Sequence, residues 1–230
     1  MQTGYSHSAY AEIYSAFGNI RELEDCGGWI LEREVPGTFY TDAMGLYPLF
    51  CCSKWEGLAA SLDQLRSDLV SLVIVTDPFS PFDEQELRKL FSYVIPFKDH
   101  YVADLARPVE KILSKSRLRA AERALEMLDV DIYKGSEIAD ECLAVEWSSL
   151  YQQLSETKRI SGMPASEPEA IAQLFRVPGL VVFRASRAGQ VLGMHLEFLQ
   201  SGGAVYGHLA AYSAEGKRLG AASALTSERD

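Results

Sequence analysis

Leu180–Ser186 (LVVFRAS), Gln190–Leu199 (QVLGMHLEFL) and Ala204–Ala211 (AVYGHLAA), followed by Tyr212–Leu225 (YSAEGKRLGAASAL), decide the reading of this chain. The first three stretches are rich in β-branched and aromatic residues. They are joined by Arg187-Ala188-Gly189 and by Gln200-Ser201-Gly202-Gly203, both good hairpin loops. The pattern predicts a three-stranded antiparallel meander running directly into a glycine-punctuated turn and a helix. A turn that leaves a strand and opens a helix presents backbone N–H groups at the positive end of the helix dipole, which suits a pyrophosphate. Gly220 and Ala222 leave room for such a group to approach the main chain, while Lys217 and Arg218 add charge around Leu219 and Ala221. The same string also reads as a capped helix packing small residues on a sheet.

Upstream the chain alternates strands and helices, with no internal repeat or low-complexity tract in view. Trp29–Glu34, Thr38–Ala43 and Leu46–Cys52 read as a first meander, and Trp55–Arg66 as the helix after it. Leu69–Thr76 reads as a strand buried on both faces, Glu84–Phe91 as a helix capped by Asp83, and Tyr93–Leu105 as a further strand. A long helix is expected from Pro108 to Leu128, a strand at Val130–Tyr133, a helix over Ile138–Leu154 and a short one over Glu169–Arg176. The polar stretch Ser155–Pro168 is a candidate substrate lid or domain seam. The class is α/β in the α+β sense, a mixed sheet flanked by helices.

Composition narrows the function. With 47% hydrophobic and 23% charged residues the chain of 230 is an ordinary globular one, and 32 acidic against 22 basic side chains give a net charge of -10. That balance disfavours duplex nucleic acid and anionic membranes as main partners. The start lacks the pattern of a secretory signal and no apolar run is long enough to span a bilayer, so a cytoplasmic protein is expected. Cys26, Cys51, Cys52 and Cys142 show no CxxC spacing and the four histidines no HExxH, so no metal site is expected. Cys51 and Cys52 read as small buried residues rather than a redox pair. Lys111, Lys115, Arg119 and Arg123 form a cationic stripe at i,i+4 spacing, read as a solvated face.

The meander and its turn resemble the GNAT N-acyltransferase superfamily, in which such a meander ends in an Arg/Gln-x-x-Gly-x-Gly/Ala loop. Lys217 stands at the Arg/Gln position, and Gly220 and Ala222 match. The resemblance implies acetyl-CoA or another acyl-CoA as donor, held by Lys217, Arg218, Leu219, Gly220, Ala221 and Ala222, and a small-molecule, sugar or peptide amine as acceptor. A looser likeness, carried by KSRLRAAERALEMLDVDIY (Lys115–Tyr133) and a helix with Trp147 and Tyr151, points to Fem-type aminoacyltransferases, which fuse two GNAT-like halves and use aminoacyl-tRNA. It implies an N-terminal half over residues 1–105 and a donor-binding half over 106–230. A catalytically silent GNAT-like binding module is the alternative of another class.

Placing Gln200 opposite Gly203 sets Glu197 against Tyr206 and His195 against His208, all on one face of the sheet. Glu197 or His208 would then be the general base, with Tyr206 or His195 positioning the acceptor; a solvated polar face reads the sequence equally well. Because a GNAT domain continues into further strands after the phosphate-loop helix, Ala204–Ala211 is expected to be an apolar sheet edge. A second copy would cover it, making a homo-oligomer, unless the chain is a shortened form of a longer enzyme.

Overall fold

The computed structural model describes residues 2–139, 141–159 and 168–227. The chain divides into two compact units, Met1–His100 and Tyr101–Asp230. Among the described residues no helix is long and apolar enough to cross a membrane.

Unit 1 is built on a four-stranded sheet of β1 (Asn19–Leu23), β2 (Gly28–Glu34), β3 (Thr41–Gly45) and β4 (Ser71–Val73), in that order. The first three strands form an antiparallel meander and β4 joins β3 in parallel. Parallel neighbours need a crossover. It is supplied by a 3₁₀ turn, Trp55–Gly57, and helix α2 (Leu58–Leu65). Ile30, Phe50, Leu58 and Leu65 form the core beneath it. The short helix α1 (Ser8–Glu12) is tied down by tyrosines. The Tyr10 and Tyr14 hydroxyls donate to the Tyr47 carbonyl at 2.5 and 3.0 Å.

The first meander therefore lies one strand earlier than the sequence suggests. Asn19–Leu23 lacks the apolar alternation that marks strands, whereas Leu46–Cys52, which has it, leaves the sheet and keeps only a bridge from Phe50 to Thr76. The run Leu69–Thr76 is not buried on both faces: β4 covers only its middle, lies at the sheet edge, and leaves Val73 67% exposed. Helix α3 (Glu84–Leu90) starts where expected, with a reciprocal capping box between Asp83 and Glu86. Tyr93–Leu105 forms no strand; its residues are almost all exposed, and Pro96 removes one ladder donor.

In unit 2 the expected long helix is two helices, α4 (Val109–Ile112) and α5 (Lys115–Leu125). Leu113 is extended, and the Ser114 hydroxyl accepts from Arg117 N at 3.4 Å, so a local serine cap ends one helix and starts the next. Lys111 thus leaves the cationic stripe, while Lys115, Arg119 and Arg123 remain exposed along α5. Then follow β5 (Asp129–Lys134), α6 (Glu141–Lys158), α7 (Pro168–Leu174), β6 (Leu180–Arg187), β7 (Gln190–Leu199), β8 (Val205–Tyr212), α8 (Ala214–Leu219) and α9 (Ala221–Ser227). The sheet order is β5-β6-β7-β8, antiparallel throughout, so β8 is an edge strand. Of the lid candidate, Ser155–Lys158 belong to α6 and 160–167 lie outside the described residues.

Helices cover both faces of this sheet. Phe183, Ala185 and Leu192 meet Ala124 of α5 and Ala221, Ala224 and Leu225 of α9 on one face. On the other, Arg184 of β6 forms a forked pair with Glu146 of α6 at 2.7 and 2.8 Å and reaches Asp131 of β5 at 3.1 Å. These two carboxylates raise the Arg184 pKa further. Such a bidentate, largely covered pair fixes the helix on the sheet more firmly than a surface pair would.

Candidate active site on the second sheet

The register of β7 and β8 fixes which side chains share a face. Gln200 N donates to Ala204 O, and Gly203 adopts φ +83°, giving a three-residue loop in place of the expected two-residue one. Phe198 therefore faces Tyr206, and Glu197 faces Gly207. A bulge follows: Leu196 pairs with Leu209 and His195 with Ala210, so His208 is the extra residue of β8. The expected tetrad is thus not assembled. His195 and Glu197 share the face covered by α9, whereas Tyr206 stands opposite Phe198 and His208 stacks at a tilt on the Phe198 ring, centroids 5.2 Å apart. The one-residue change in loop length and the bulge together move the two β8 side chains away from their expected partners. His208 is half-buried, and desolvation lowers its pKa, which favours the neutral ring.

The group that His195 meets is Tyr212, the last residue of β8. The His195 Nε2 and the Tyr212 hydroxyl form a short hydrogen bond, and the two rings meet edge to face at 5.5 Å. Gly193 permits this: a Cβ there would come within 2.7 Å of the Tyr212 ring and 3.2 Å of Ala221 Cβ. The ring of Tyr212 thus crosses β7 in the gap left by a missing side chain and lies next to the first residue of α9. His195 is 7% exposed and Glu197 2%. A line of Gly193, His195 and Glu197 on β7, with Tyr212 beside it, is a buried polar strip on an otherwise apolar face. Tyr212 was missed by the sequence reading. The signal was present, since it heads the quoted turn, but only the bulged register sets it against Gly193.

The predicted phosphate loop takes a different form. Ser213 caps the next helix, accepting from Gly216 N at 3.0 Å, and Lys217, Arg218 and Leu219 continue that helix as part of α8. Gly220 is its left-handed C-cap at φ +79°, and its N–H turns back to the Gly216 and Lys217 carbonyls. Ala221 and Ala222 open α9. The strand-to-helix turn therefore lies at Ser213, not at Lys217–Ala222, because a serine at the strand end captures the helix start first. Gly220 packs on α5, where a Cβ would sit 3.3 Å from Ala124 Cβ. The six predicted donor-binding residues remain within one turn of the strip, through the Gly193–Ala221 contact, with Lys217 and Arg218 exposed.

No protein-family model matches this chain and no curated protein matches it. Among solved structures it is similar to the C-terminal domain (DUF2156) of a putative lysylphosphatidylglycerol synthetase from Agrobacterium fabrum. The TM-score is 0.57 at 11% identity, and the match covers 98% of this chain and 68% of that one. At that identity the likeness is one of fold. The chain has a GNAT-like α+β fold, in which two four-stranded mixed or antiparallel sheets are flanked by helices.

Proposed function

We propose that this chain is a group-transfer enzyme that moves an acyl or aminoacyl group from an activated, phosphate-bearing donor to an amine acceptor, with the chemistry on unit 2. What supports this best is the His195–Tyr212 pair, held over Gly193 and next to the start of α9. Attack of an amine on an acyl carbonyl requires the amine to lose a proton and the leaving group to gain one. His195 takes the first proton, Tyr212 donates the second, and their shared hydrogen bond links the two steps. Glu197, two residues along the same strand, is the second candidate base. Lys217 and Arg218, exposed beside the Gly220 turn, would attract the donor's phosphates.

Two donors compete within this reading. Gly220 and Ala222 match the acyl-CoA motif, which favours acyl-CoA. The helical state of Lys217–Leu219 and the likeness to a domain described as a lysylphosphatidylglycerol synthetase favour an aminoacyl donor such as aminoacyl-tRNA. The test is to offer acetyl-CoA, longer acyl-CoAs, CoA and aminoacyl-tRNA to the protein and follow thermal stabilisation, which grows as RT ln(1 + [L]/Kd). Stabilisation by one donor, together with its consumption and the loss of consumption in Tyr212→Phe, is the expected result. Stabilisation by none of them would leave a binding module without transferase activity.

A further inference from the structure

The turn between β1 and β2 and the segment entering α2 lie side by side. Lys54 N donates to the Cys26 carbonyl at 3.0 Å, and Ser53 Oγ lies 3.5 Å from the same oxygen. A Cβ on Gly28 would sit 3.1 Å from Cys52 Cβ. This alignment brings two cysteines that are far apart in sequence into one pocket, where their thiols share a hydrogen bond. Both are reduced. The Ser61 hydroxyl, buried and without a conventional hydrogen bond, lies beside Cys26 as well. We propose that Cys26 and Cys52 are an oxidation site for hydroperoxides, closing to an intramolecular disulfide that ties the β1–β2 turn to the start of α2.

The asymmetry of the pair sets the order of events. Donation from Cys52 and Ser61 brings the Cys26 thiol down to about 7, whereas Cys52 is pushed up as the donor. Cys26 is therefore the thiolate and attacks the peroxide. An S–O bond forms, the O–O bond breaks, and water leaves from hydrogen peroxide, giving a sulfenic acid on Cys26. The Cys52 sulfur loses its proton, attacks Cys26 and expels a second water. Two thiols and one peroxide become one disulfide and two waters. Cys26 is fully covered and Cys52 is 9% exposed, so the reaction proceeds through openings of the exposed Ser53-Lys54 stretch and is slow. Cys51 is occupied elsewhere, its thiol 3.5 Å from the Asp77 carboxylate.

The test uses the whole protein, treated with hydrogen peroxide, alkylated and digested without reductant for mass spectrometry. The expected product is a cross-linked peptide pair joining Cys26 to Cys52, two alkylatable thiols in place of four, and full recovery with dithiothreitol. In Cys52→Ser, dimedone is expected to label Cys26. A disulfide through Cys51, or oxidation confined to the exposed Cys142 while Cys26 and Cys52 stay reduced, would overturn the proposal, as would an unlabelled Cys26 in Cys52→Ser.

Discussion

Gly28-Trp29-Ile30-Leu31-Glu32 on β2 and Gly193-Met194-His195-Leu196-Glu197 on β7 are the same pattern in the middle strand of each unit's meander. In both, the glycine lies under an aromatic ring, Phe50 in unit 1 and Tyr212 in unit 2. Both strands face the helix that follows the meander, and both helices are seated by the same device. A main-chain N–H just past the third strand donates to the entry of the middle hairpin, Lys54 to Cys26 O and Ser213 to Leu192 O. A glycine then lets the helix touch that backbone: a Cβ on Gly57 would overlap the Asp25 carbonyl, and one on Gly216 the Leu192 carbonyl. The difference is at the centre of the pattern. Ile30 is buried in an apolar core, whereas His195 in the same place bonds to Tyr212. One frame thus supports a packed core in unit 1 and a polar strip in unit 2.

The strongest way to break this comparison is at the two glycines. Gly57→Val and Gly216→Val place side-chain atoms on main-chain carbonyls that cannot recede, and each is expected to cost its own unit about 3 kcal/mol or more. Hydrogen exchange read unit by unit checks it; equal loss of protection in both units from either variant would deny that each glycine seats its own helix.

The arginines on the first strand of each meander sharpen it further. Arg184→Ala leaves Glu146 and Asp131 without their shared cation in a largely covered site, and about 2–3 kcal/mol of unit 2 stability should go. Arg21 also bridges two carboxylates, Glu32 and Asp68, but at the surface, and Arg21→Ala should cost at most about 1 kcal/mol. Urea titration of the two variants compares them directly.

The smallest expected effect is acid sensitivity at the bulge. Burial lowers the His208 pKa below its unfolded value, so between those two values the unfolded chain binds the extra proton. Its contribution is thus intact above the ordinary histidine pKa and is lost as the pH falls towards the folded one. Since His208 is only half-buried, His208→Gln should flatten the acid limb of unit 2 stability by on the order of 1 kcal/mol. An unchanged limb in that variant would place the acid sensitivity elsewhere.

Much of this frame was legible in the sequence, because it rests on period-2 patterning and turn residues. Gln190–Leu199 coincides with β7, and the Asp83 cap and its helix are where the local chemistry puts them. What depended on single residues between elements was not. The added loop residue before Gly203 and the bulge at His208 set the pairing of His195, and neither leaves a trace in hydrophobic periodicity. Ser114 and Ser213 each started a helix that propensity alone would have placed elsewhere. The Gly-x-x-Leu-Glu repeat is too short to notice as sequence and becomes visible only once both copies occupy the middle strand.

The central claim is that the two units share a frame and that only the second carries the transfer chemistry. Donor-induced hydrogen-exchange protection, followed in the wild type and in His195→Ile, tests it most directly, since that substitution rewrites unit 2's pattern as unit 1's. With the donor identified by thermal shift, protection is expected over 193–195 and 212–222 and not over 28–32 or 50–65. His195→Ile should keep that protection while donor consumption falls by about 10²-fold or more, the usual range for loss of a general base. Protection centred on unit 1, or a His195→Ile protein that turns over at the wild-type rate, would contradict the account.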